Sequence, residues 1–182
     1  MSHKPEDAPG TGHAAPGTWP EMRKPAILVV DDEPQLVTAI TDVLEEQYRV
    51  VGETSPRKAL DILRQDSGIH VIISDQRMPV MTGDEFLFRA QEFSAATRIL
   101  VTAYADLSAV IDAVNHGKIF SYIRKPWHET ELRDIVDAAA RHYALGAALQ
   151  QERALLKCIM ECNNDLLRLG EGAMKPVANG HS

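Results

Sequence analysis

The strongest constraint in this chain is a repeated texture: a short apolar run that stops on a polar side chain, followed by a segment of helical period. AILVV stops on Asp31 and Asp32, VIIS on Asp75, RILV on Thr102, and IFSYIR on Lys125 and Pro126. An unbroken apolar run of this kind suits a strand buried on both faces, and parallel sheets bury their strands in that way. Between the runs, Leu36, Ile40, Val43 and Leu44 recur at helical spacing from Pro34 to about Gln47, with Pro34 in the first turn where its missing amide does no harm. A second strand is expected near Tyr48 to Gly52, then a helix capped by Ser55 that begins at Pro56 and carries Ala59, Leu60, Ile62 and Leu63. A further helix begins near Thr82. This alternation predicts a doubly wound α/β sandwich, a parallel sheet of five strands with helices on both faces.

Composition sets the outer bounds. The chain has 182 residues, 45% hydrophobic and 25% charged, enough for one core of ~100 to 150 residues. Asp and Glu outnumber Lys and Arg by 26 to 19, a formal charge of -7. Nucleic-acid phosphates and anionic bilayers would repel such a chain, so neither is expected as a partner. No apolar run approaches the ~20 residues that span a bilayer, and the N-terminus lacks a secretory core, so a soluble cytoplasmic protein is expected. Residues 1–24 are rich in Pro and Gly and poor in aliphatics, which predicts a disordered leader. Cys158 and Cys162 lie in a helical pattern and are expected to remain reduced thiols of minor structural importance.

In an open parallel sheet the carboxyl ends of the strands form one edge, where ligands bind. Asp31, Asp32, Asp75, Thr102 and Lys125 all fall at those ends and are expected to converge. Converging carboxylates repel unless a cation or protons compensate; a hard divalent ion with oxygen ligands is the ordinary remedy, and Mg²⁺ fits best. Lys125 supplies a positive charge and Thr102 a hydroxyl, both suited to the oxygens of a phosphoryl group carried on one carboxylate. Asp75 is the candidate nucleophile, leaving Asp31 and Asp32 to hold metal. Strand-terminal Asp and Thr also cap the helices that follow, and capping is an adequate account of any one of them. The full set in strand order, beside the cis-prone Lys125-Pro126 pair, goes beyond capping.

With these residues in place, VVDDEP, SDQRMPVMTG, LVTAYAD and SYIRKPW together resemble the receiver domain of bacterial two-component response regulators, over roughly Pro25 to Ala144. The resemblance implies a flavodoxin-like sheet in the order 2-1-3-4-5. It implies that Asp75 accepts a phosphoryl group from a sensor histidine kinase or a phosphotransfer protein. Asp32 binds Mg²⁺ directly with Asp31 assisting, Asp75 shares the ion, and the backbone carbonyl of Arg77 completes the protein ligands. Lys125 pairs with the phosphoryl group, Thr102 moves towards it, and Tyr122 changes rotamer as the switch. Pro79 and Gly83 shape the loop after Asp75, and a glycine there also permits backbone angles that other residues resist. Arg77 and Tyr104 occupy the positions that tune phosphoryl lifetime, and their bulk predicts slow self-dephosphorylation.

After a receiver domain at 25–144, a C-terminal helix at 145–170 and a flexible tail at 171–182 are expected. About 40 residues are too few for most output domains, so no DNA-binding or catalytic output is expected and the signal would pass through a downstream protein target. The helical pattern runs from about Glu129 to Leu169, with a 4-3 repeat through Leu145, Leu149, Glu152, Leu156, Ile159, Asn163 and Leu166. Such a seam predicts a parallel coiled coil and a homodimer. The alternative is an amphipathic helix that folds back on its own domain, with Gly146 as the break. The histidines are dispersed without metal-like spacing, and solvated or capping roles suffice for them. Trp127 is read either as a partner contact or as a cover for the start of the last helix.

Chemistry is expected only on the chain itself, so it is not read as an enzyme. A phosphohydrolase working through an aspartyl-phosphate would want an acid two residues after Asp75, where Arg77 stands. A phosphorylation-independent dimeric scaffold that keeps the receiver fold remains the alternative.

Overall fold

The computed structural model describes residues 24–103 and 119–172, with side chains described as far as 162. The expected leader up to residue 23, Tyr104, and the tail from residue 173 lie outside the described residues. In chain order the elements are β1 (Ala26–Val30), α1 (Pro34–Leu44), β2 (Arg49–Glu53), α2 (Pro56–Gln65), β3 (Ile69–Asp75), α3 (Gly83–Ala90), β4 (Thr97–Thr102), β5 (Ser121–Arg124) and α4 (Glu129–Gly172). The strands form one parallel sheet, as the alternation predicts, in the order β2-β1-β3-β4-β5 that the resemblance implies.

The apolar runs are explained by burial on both faces. Along β1, Ala26, Leu28 and Val30 face a core completed by Leu60, Leu63, Phe86 and Leu87 of α2 and α3. Ile27 and Val29 face the opposite core, completed by Ile40 and Leu44 of α1 and by Leu132, Val136 and Ala139 of α4. Side chains alternate across a strand, so a strand covered on both sides must be apolar at every position. Fully burying each larger aliphatic contributes about 1.5 to 3 kcal/mol relative to leaving it in water.

Three local differences from the sequence reading have physical causes. α1 stops at Leu44 rather than near Gln47, because the Gln47 and Tyr48 amides both turn back to the Leu44 carbonyl. Tyr48 precedes β2 instead of opening it; its ring is buried and its hydroxyl bonds to the Asp137 carboxylate. Ser55 holds the N-cap position of α2 without a capping side-chain bond. The Glu53 carboxylate accepts from the Thr54 and Ser55 amides, just before the helix, at 2.8 and 2.9 Å.

The chain divides into two compact units, one ending at Ala140 and the other starting at Arg141. The second unit contains the distal part of α4, which continues unbroken through Gly146. From Ala144 to Cys162 every side chain is exposed, including Leu145, Leu149, Leu155, Leu156, Ile159 and Met160. Both cysteines are free and exposed. No helix among the described residues is long and apolar enough to cross a membrane.

Candidate functional site

Strand register decides what meets at the carboxyl edge. Val30 pairs with Ser74, Asp75 with Val101, and Thr102 with Arg124, so the residues at the ends of β1, β3, β4 and β5 come out side by side. Main-chain bonds extend the alignment past the strands: Gln76 N–H donates to the Val101 carbonyl at 2.8 Å, and Lys125 N–H to that of Thr102 at 2.8 Å. The Lys125-Pro126 peptide is cis.

Asp31 and Asp75 are 2% and 6% exposed, a burial that carboxylates accept only with partners. Both partner Lys125, whose Nζ lies 2.5 Å from Asp75 Oδ1 and 3.0 Å from Asp31 Oδ2. Their other oxygens are held by the backbone. Arg77 N–H donates to Asp75 Oδ2 at 2.6 Å and Glu33 N–H to Asp31 Oδ1 at 2.9 Å. Each carboxylate is thereby fixed in orientation and points one oxygen at a shared cation. Burial pushes the Asp31 carboxyl above the usual range, against the opposing pull of the Glu33 amide and Lys125. Burial pulls Lys125 down, but its bonds to Asp75 and Asp31 outweigh that and hold it above the ordinary lysine value.

Asp32, beside Asp31, is half-buried, and Arg77 is exposed. Thr102 is buried at the end of β4, where its hydroxyl donates to the Ala103 carbonyl at 3.1 Å. Tyr122 is exposed on β5. Trp127 packs against the core shared with α4, which favours its covering role. Among the described residues no group of three His, Cys, Asp or Glu side chains could hold a metal ion by itself. Lys125 stands between Asp31 and Asp75. The donor set still suits Mg²⁺, a hard ion that keeps several waters and takes one or two carboxylates rather than a full protein cage. Two buried carboxylates that share one lysine offer anionic oxygens of the kind such an ion takes.

The loop after Asp75 departs from the expectation for its glycine. Gly83 is needed for space: a Cβ there would lie 2.1 Å from the Asp75 carbonyl oxygen. The left-handed backbone falls on Val80, at φ 76 and 74% exposed, although a β-branched residue is poorly suited to it. Sequence reasoning also passed over Gln76, whose side chain and main chain both bond to the first turn of α3. Burial raises the Asp84 carboxyl, but the Thr82 hydroxyl and the Gln76 amide outweigh it and hold it below the usual range. Spacing alone gives His70 a solvated or capping role. It is half-buried, and its Nδ1 accepts from Ala26 N–H at 3.1 Å at the far edge of the sheet.

The response regulator receiver domain model matches residues 27–137. This chain belongs to the receiver domain family. It is 36% identical over 124 residues to the hydrogenase transcriptional regulatory protein HoxA of Cupriavidus necator, a match that covers 68% of this chain and 26% of that protein. A solved structure described as adenylate cyclase from Rhodopirellula baltica aligns with a TM-score of 0.68 at 28% identity, covering 74% of this chain and 98% of that one. A response regulator receiver domain protein from Clostridium thermocellum aligns with a TM-score of 0.60 at 28% identity, over 68% of this chain and 97% of the other. The chain thus spans about a quarter of the length of the HoxA relatives it matches. Receiver domains are signalling domains that pair with sensor histidine kinases, and they generally bind Mg²⁺ at the phosphorylation site.

Proposed function

We propose that this receiver domain takes a phosphoryl group on Asp75 from a histidine kinase or a phosphotransfer protein and signals by changing its contacts with other proteins. The observation that carries this reading is the single Lys125 ammonium shared by the buried carboxylates of Asp75 and Asp31. Asp31, Asp32, Asp75 and the Arg77 carbonyl are the groups that would hold Mg²⁺, which when bound neutralises charge on the transferring phosphoryl oxygens. A carboxylate oxygen of Asp75 forms the new bond to phosphorus as the phosphorus–nitrogen bond of the phosphohistidine breaks, and the imidazole leaves with the electron pair. Lys125 then turns from the two carboxylates to the phosphoryl oxygens, with the Thr102 hydroxyl as a second donor. Because Lys125 leaves Asp31, the transfer changes the pairing of two strands at once, and Thr102 and Tyr122 carry that change to the surface of β4 and β5.

Incubation with phosphoramidate and Mg²⁺, followed by intact-mass measurement, tests the reading. One added phosphoryl mass is expected on the unmodified chain and none on Asp75→Asn. No added mass on either favours the phosphorylation-independent scaffold. Bulky Arg77 and Tyr104 lead us to expect slow self-dephosphorylation. A half-life of seconds, unchanged when both are trimmed, overturns that part.

The distal part of α4 supplies the second element of the proposal, a homodimer through a parallel coiled coil. The unbroken helix and its exposed Leu149, Leu156 and Ile159 support this reading; the side chains of Asn163 and Leu166 lie outside the described residues. Light scattering should give a dimer mass for the full chain and a monomer for one ending at Ala144, and equal states for the two exclude the coil. We place the chain in the cytoplasm, and its acidic charge speaks against nucleic-acid or anionic membrane partners.

A further inference from the structure

Gln76, the residue after the phosphoacceptor, is the cap of α3. Its main-chain carbonyl accepts from Gly83 N–H at 3.0 Å and its side-chain Oε1 from Asp84 N–H at 3.2 Å, so it satisfies the first two amides of that helix. Its Nε2 donates to Asp84 Oδ1 at 2.9 Å, and its own N–H is fixed on Val101 of β4 at 2.8 Å. The residue at the ordinary N-cap position, Thr82, makes no capping side-chain bond. A helix of eight residues depends heavily on its first turn, and here that turn is tied to the end of the sheet by one buried side chain. The loop between the tied points contains Arg77, whose N–H orients Asp75 Oδ2 and whose carbonyl is among the proposed metal donors.

We infer that Gln76 is a positioning residue that presets the loop from Arg77 to Thr82 for the metal, acting through Asp84 and α3. This rests on the proposed metal site. With the clamp intact, the Arg77 carbonyl needs no reordering when the ion arrives. Without it, part of the binding free energy goes to ordering the loop. Partners that orient a metal's ligands without touching the ion typically set metal affinity in this way.

Calorimetric titration of the full chain with Mg²⁺ tests the inference, alongside thermal melts to establish folding. Gln76→Leu is expected to weaken Mg²⁺ about ten-fold in folded protein. Gln76→Glu, which sets a second carboxylate against Asp84, should weaken it further. The double variant Gln76→Glu with Asp84→Asn reverses donor and acceptor, rebuilds the clamp, and should return the affinity to within about three-fold of the original. Amide exchange at Gly83 and Asp84 should quicken in Gln76→Leu and recover in the double variant. A merely structural role would lower the melting temperature of Gln76→Leu and leave its Mg²⁺ affinity unchanged, which overturns the inference. So does a double variant that folds without recovering affinity. If the unmodified chain takes up neither Mg²⁺ nor a phosphoryl group, the site reading falls with it; if it takes up both and Gln76→Leu matches it, only the role of Gln76 falls.

Discussion

The two stretches of α4 both carry apolar side chains at helical spacing and meet opposite fates. Leu132, Val136, Ala139 and Ala140 are buried in a core they share with the sheet, while Leu149, Leu155, Leu156 and Ile159 are exposed. Helical period establishes that a face exists and says nothing about what covers it. In the first stretch the cover is written elsewhere in the same chain, as strands whose apolar runs demand two layers. In the second no such counterpart follows from the sequence, and a second copy of the chain is the cover proposed for it.

Truncating one side chain from each region gives the widest separation. Leu132→Ala should cost about 3 kcal/mol of unfolding free energy in denaturant, since the side chain is fully buried. Leu156→Ala, on the exposed seam, should stay within about 0.5 kcal/mol at a concentration where the chain is monomeric. Equal losses would show that the distal face is covered.

Glycine gives the next contrast, with opposite signs. Gly83→Ala drives a Cβ into the Asp75 carbonyl oxygen and should cost about 3 kcal/mol. Gly146→Ala meets nothing within 4 Å and should strengthen the helix by about 1 kcal/mol, read as greater helical content or a higher melting temperature. A destabilising Gly146→Ala would reveal a close neighbour there.

Within the first unit, Val80→Gly should raise stability by about 1 kcal/mol in thermal melts, because glycine adopts the left-handed backbone without the β-branched penalty. The smallest effect concerns His70. Burial pulls its pKa below the ordinary 6.5, while Arg49 lowers it further and the Gly68 and Asp66 groups pull it up. The folded state therefore prefers neutral imidazole. Its contribution is fully present above pH 6.5 and is lost as pH falls through the lower folded value. Melts of the original chain and of His70→Gln should converge as pH drops below that window, and parallel curves would discount His70.

Much of the sheet was legible because its residues answer to one requirement, burial on both faces. The carboxyl-edge residues were legible because each interrupts an apolar run. What escaped were relations between side chains and backbone at close range. Gln76 looks like an ordinary loop residue until its amide is seen to bond the start of α3. Ser55 stands at the N-cap of α2 but makes no capping bond, and the nearest carboxylate, that of Glu53, holds the Thr54 and Ser55 amides that precede the helix. His70 sits at a strand start, where spacing carries no sign of the amide it accepts.

The contact between Gly83 and the Asp75 carbonyl bears on how such a chain can vary over time. The two positions are pressed together and the peptide between them is closed by a hydrogen bond, so the segment leaves and returns to one point of the sheet edge. Insertions or deletions between residues 76 and 82 would break the closure, whereas single substitutions at exposed positions such as Val80 would not. Diversity in this segment should therefore appear as changes of letter at constant length, with changes of length displaced to the opposite end of the sheet.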